Sequence, residues 1–187
     1  MLRRTIGRAG SHGSAMLFSP PVGVRERTMN TIQAVLETDS YEDEDYLTIH
    51  VDGKPLDMLL AEASPEDQLE GLVPTLLGWM DQDSDRAIVW SRFLPKDDTR
   101  IRAPVLMCPE HRDLLCTTVV AEVRIHGDTV EWRRIGIDDT PEEDLPELVG
   151  QDVFWLQGVG PFEFDRREYM SLMNAFRQGS VHSGTLH

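Results

Sequence analysis

Lysine is almost missing from this chain: of 18 basic residues 16 are arginine, and only Lys54 and Lys96 are lysine. Cysteine is as scarce. Two residues, Cys108 and Cys116, cannot staple a chain of 187 residues into a disulfide scaffold. No apolar run approaches the ~18–20 residues that a membrane-spanning helix needs. Arg3 and Arg4 are not followed by the uninterrupted apolar segment of a secretory signal, so the expected compartment is the cytoplasm. No G-x-x-x-x-G-K-[ST] phosphate loop occurs, and Gly158-Val159-Gly160-Pro161 is too short and proline-blocked for a dinucleotide fingerprint. There is no Gly-x-Ser-x-Gly elbow either. These absences leave no positive case for an enzyme.

Positive charge is short overall and unevenly placed. Residues 1–28 hold five arginines against one glutamate, so a total of −15 leaves −19 for residues 29–187. Such a field repels nucleic acid and anionic membranes, so neither is expected as a partner, and it speeds encounter with a basic protein. Acidity of this size also serves solubility alone. The arginine bias points to a GC-rich genome, in which Met16 and Met29 are alternative starts to Met1. Residues 1–28 are expected to be disordered or untranslated. An arginine-rich transit peptide is the other reading of their composition.

What is present suffices for a core: 40% of residues are hydrophobic. A single α+β domain is expected over 29–178, with 179–187 a frayed tail. Thr31–Glu37 and Tyr46–Val51 read as strands around the acidic loop Asp39–Asp45, and Asp52-Gly53 reads as a turn. Leu56, Leu59, Leu60 and Ala63 fall on one helical face opened by Pro55. Ser64-Pro65-Glu66-Asp67 reads as a second helix start, carrying Leu69, Leu72, Val73, Leu76 and Leu77, with Pro74 kinking or ending it. Arg86–Leu94 and Ile101–Cys108 read as strands.

Leu115–His126 and Thr129–Ile137 form the clearest unit, a hairpin turned by Gly127-Asp128. Its expected register sets Arg124 against Glu131 and Glu122 against Arg133 on one face. Val123 then meets Trp132, and Ile125 meets Val130, on the other. Asp138–Glu147 reads as an acidic loop, Asp152–Leu156 as a strand and Gly158–Pro161 as a turn. The last helix is capped by Asp165 and Glu168, carries Tyr169, Leu172, Met173 and Phe176, and is expected to end at Gly179. The result is a mostly antiparallel sheet with helices near the start and at the C-terminal end.

One segment carries candidate chemistry. In Cys108-Pro-Glu-His111-Arg-Asp-Leu-Leu-Cys116, two thiols and an imidazole bracket one turn between strands. Zinc requires such soft or borderline donors in tetrahedral convergence, and Asp113 or Glu110 would have to supply a fourth ligand. The plainer reading is a pair of reduced, metal-free cysteines at strand ends. A cysteine nucleophile with His111 or His126 as base would need a third, orienting group. The runs Glu42–Asp45, Asp81–Asp85 and Asp138–Asp144 lack the glycine and glutamate spacing of a calcium loop and read as solvated acids. Trp79, Trp90, Trp132 and Trp155 read mostly as core, with one available as an interface anchor.

Four segments taken together, Tyr46–Leu56, Gly71–Trp79, Pro104–Pro109 and Trp132–Gly136, resemble a group of small acidic bacterial proteins similar to the immunity proteins of polymorphic toxin systems. The resemblance spans about residues 45–170 and implies a binding module that neutralises a partner; with the charge of residues 29–187, the expectation is a non-enzymatic inhibitor of a basic protein. Asp138, Asp139, Glu142 and Glu143, in the acidic loop after the hairpin, are the expected partner-binding carboxylates. The alternative is a small zinc-binding protein using Cys108, His111 and Cys116.

Overall fold

A computed structural model describes residues 29–38, 45–141 and 145–183, with side chains as far as Gly179. The segment 1–28, the acid-rich stretch 39–44, Glu142 and Glu143 lie outside the described residues. The fold is α+β; the described residues form three α-helices and two sheets whose strand pairs are antiparallel.

The smaller sheet is β1 (Ile32–Thr38), β2 (Asp45–Val51) and the two-residue β3 (Lys54–Pro55). Pro55 closes β3 and caps α1 (Leu56–Ala63), which buries Leu56 and Leu60 as its spacing predicts. In the larger sheet β4 (Val73–Pro74), β5 (Arg100–Met107), β6 (Thr118–His126) and β7 (Thr129–Asp138) lie in that order. The far edge of β7 is shared. β8 (Val153–Trp155) pairs with Gly136–Asp138, and β9 (Phe162–Asp165) pairs with Thr129–Trp132. β6 is central and buried on both faces, which explains its run of Val119, Val120, Ala121, Val123 and Ile125.

The hairpin keeps its expected register from the turn to Val123, which faces Trp132, and Gly127 takes the positive φ of 56° that the turn demands. Beyond Val123 the register shifts. Glu122 stands opposite both Arg133 and Arg134, a β-bulge on β7. The expected Glu122–Arg133 pair is therefore not made. Arg133 turns to solvent, and Arg134 donates from Nε and Nη2 to Glu122 Oε2 at 3.2 and 2.8 Å. β6 also begins three residues later than expected, leaving Leu115–Thr117 to the preceding loop.

Three further expectations are overturned. Arg86–Leu94 is not a strand but most of helix α2 (Asp83–Phe93). Asp85, Val89 and Phe93 are its buried positions, spaced by four, with acids in the first turn and Arg92 in the last. Residues 64–72 form turns instead of a helix. Ser64 Oγ donates to Asp67 Oδ2 rather than accepting from a helical N–H, and Gln68 and Gly71 both have positive φ, which no helix accommodates. Those turns deliver Val73-Pro74 to the edge of β5. Finally, α3 (Arg166–Ser183) runs through Gly179. A Cβ there would lie 3.0 Å from Leu47 Cδ1, so the glycine permits close approach of the helix to β2 rather than ending it.

One core joins the elements. Trp132 meets Phe164 and Tyr169 edge to face, with ring centroids 5.4 and 6.3 Å apart. Asp165 caps α3 as expected, its Oδ1 accepting the N–H of Arg167 at 2.8 Å. Tyr169 then sits fully buried one turn into the helix, and its hydroxyl donates to the Phe93 carbonyl at the end of α2 at 3.1 Å.

Candidate metal centre

The loop 108–117 between β5 and β6 is short and firmly held. Met107 and Thr118 are the last paired residues, and Cys108 N–H donates to the Thr117 carbonyl at 2.9 Å, one rung beyond them. The chain then reverses through Arg112, whose φ of 54° is left-handed and whose N–H donates to the Cys108 carbonyl at 3.3 Å. Asp113 Oδ1 accepts the N–H groups of Leu115 and Cys116, both at 3.0 Å, shaping the return. Leu114 is fully buried and anchors the loop from beneath.

Arg112 braces the loop from the side. Its Nε donates to the Pro109 carbonyl, and its guanidinium lies 5.4 Å from the Trp79 ring. Trp79 in turn packs on Tyr46 of β2 at 5.4 Å. This brace was not legible in the sequence, where Trp79 and Arg112 stand 33 positions apart without a shared pattern.

The geometry brings all three predicted ligand residues together. His111 Nδ1 lies 3.6 Å from Cys108 Sγ and 3.2 Å from Cys116 Sγ, and the three ligand atoms fall within 4.8 Å of one another. Around a tetrahedral zinc with bonds of ~2.0–2.3 Å, neighbouring ligand atoms stand roughly 3.5–3.8 Å apart. Both nitrogen–sulfur distances are near that spacing already. Both cysteines are partly buried and His111 is exposed, so the fourth direction opens to solvent. Neither expected fourth ligand joins the group: Asp113 Oδ1 is held by backbone N–H groups, and among the described residues no carboxylate completes the cluster.

The electrostatics favour charge separation within the cluster. Burial raises the Cys108 thiol pKa, but the hydrogen bond from His111 and the backbone N–H groups of His111 and Glu110 outweigh it, leaving the thiol below its ordinary value. Burial and then the neighbouring Cys108 push Cys116 up. His111 is raised by its hydrogen bond to Cys108 and by that sulfur's charge. The other candidate base is elsewhere: His126, at the opposite end of β6, bonds Asp98 at 2.6 Å.

The expected partner-binding carboxylates are not alike. Asp138 ends β7, half-buried, and its Oδ1 accepts from Gly150 N–H at 2.7 Å and from Thr140 Oγ1 at 2.8 Å. Burial raises its pKa. Asp139 is exposed. In the run Asp81–Asp85, Asp83 pairs with Arg86 and Asp85 is buried in α2.

Three of the four tryptophans are only partly buried, and each lies beneath an arginine: Trp79 under Arg112, Trp90 under Arg177, and Trp155 under Arg134 at 4.0 Å. Trp132 alone is core. No helix among the described residues is long and apolar enough to cross a membrane.

No protein-family model matches the chain, and neither the curated proteins nor the solved structures yield a match. The resemblance to immunity proteins therefore stays an expectation from sequence.

Proposed function

We propose that this protein binds a zinc-class metal ion through Cys108, His111 and Cys116, leaving one coordination position for an exogenous ligand. The observation that carries this reading is the convergence of both thiols on a single imidazole nitrogen, His111 Nδ1, at the mouth of a braced loop. Three protein ligands with an open fourth position is the pattern of metal sites that exchange ligands, whereas purely structural zinc is closed by four. The short loop limits the ordering that binding requires, because backbone bonds already hold its two arms.

Cobalt substitution tests the proposal directly. The full chain should take up one cobalt ion with intense thiolate-to-metal absorption, which zinc then bleaches. Cys108→Ser and Cys116→Ser should each weaken that band, and His111→Ala should lower affinity at least tenfold. A spectrum unchanged in Cys108→Ser, or no uptake at all, would sink the reading.

Charge supports a second, compatible reading: recognition of a basic protein partner. The −19 carried by residues 29–187 is what favours it, with Asp81 and Asp139 among the exposed carboxylates.

A further inference from the structure

The same loop holds the chain's only two cysteines, so within one molecule each thiol has a single sulfur it can pair with. Their Sγ atoms lie within 4.8 Å of each other, and both approach the same His111 nitrogen. The Cys108–Thr117 rung at 2.9 Å holds the two arms of the loop together beside both cysteines. Both residues are partly exposed, at an edge that a small oxidant can reach. The metal reading shares this proximity but holds the sulfurs apart around an ion, and makes no use of a bond between them.

We propose that Cys108 and Cys116 form a reversible intramolecular disulfide, which makes this loop an oxidative modification site. With hydrogen peroxide as oxidant, one sulfur attacks a peroxide oxygen. The O–O bond breaks, water leaves, and that sulfur becomes a sulfenic acid. The second sulfur then displaces the hydroxyl as another water while the S–S bond forms. Two thiols lose two electrons and two hydrogens in all, and the peroxide becomes two waters. His111 Nδ1, in contact with both sulfurs, is the positioned group that carries the second thiol's proton to the departing hydroxyl. A dithiol reductant reverses the change by exchange. Where the metal reading also holds, the disulfide removes both thiolate ligands together and the ion is released. That consequence rests on the metal reading, but the disulfide itself does not.

The test uses the full chain, reduced and stripped of metal, treated with hydrogen peroxide in slight excess. Free thiols should fall from two to none, and peptide mapping should find the Cys108 and Cys116 peptides joined within one molecule. Dithiothreitol should restore both thiols. Sulfinic acids, a disulfide-linked dimer, or thiols that survive the oxidant would each overturn the proposal. A parallel sample loaded with zinc chloride and followed with a chromogenic chelator should release its ion at the rate the cross-link forms; release without cross-linking would also overturn it. The two readings fail separately. A chain that takes no zinc yet closes the disulfide defeats the metal site alone, and one that binds zinc but never cross-links defeats only this inference.

Discussion

Tyr169 shows how much a single side chain does here. Its ring packs against Trp132 and Phe164, while its hydroxyl reaches the carbonyl at the end of α2. Full burial pushes its pKa well above the ordinary phenol value, so it stays a neutral donor throughout the working range. Tyr169→Phe leaves the packing but strands a buried carbonyl, and should lower unfolding free energy by about 1–2 kcal/mol in urea titrations. An unchanged midpoint would mean that the hydroxyl is not a tie between helices. The candidate site was partly legible at this scale. Residue chemistry marked Cys108, His111 and Cys116 as a group, because thiol and imidazole recur within one turn. It could not show which imidazole nitrogen both sulfurs approach. Nor could it show that Asp113 shapes the backbone instead of offering a fourth ligand, since an aspartate two residues before an N–H does either.

Among elements, the hairpin is the most informative. Its turn requires positive φ at Gly127, where an L side chain in the left-handed region costs about 1–2 kcal/mol. Gly127→Ala should therefore lower stability by that amount, seen as a shifted urea midpoint with an unchanged slope. A neutral result would show that the turn relaxes to another type. This unit was legible because glycine and the apolar cross-strand partners agree on one register near the turn. The bulge at Glu122 leaves no sequence signal, because Arg133 and Arg134 are the same residue type and either satisfies a charge rule. Arg86–Leu94 reads as a strand for a different reason. Ile88, Val89 and Trp90 are favoured in strands, yet the burial of Asp85, Val89 and Phe93 follows the helical spacing of four. Around Pro65 the helix signals were local, and the positive φ values at Gln68 and Gly71 that break the helix leave no mark beyond the glycine itself.

For the molecule as a whole, charge sets how it meets others. If a basic protein is the partner, association should slow markedly as ionic strength passes ~0.15 M, where the screening length is ~8 Å, and dissociation should change far less. Asp81→Asn with Asp139→Asn should lower the on-rate without altering the fold. A captured partner that is acidic, or a rate indifferent to both salt and these substitutions, would defeat that reading. The strand arrangement limits another kind of meeting. Beyond β7 the larger sheet ends in β8 and β9, strands of three and four residues. Along β8 and β9 an incoming strand of ordinary length, about five or six residues, finds no single full-length strand to pair with. On that side brevity disfavours growth of the sheet from molecule to molecule, the first step toward fibrils, without a guarding lysine on either strand.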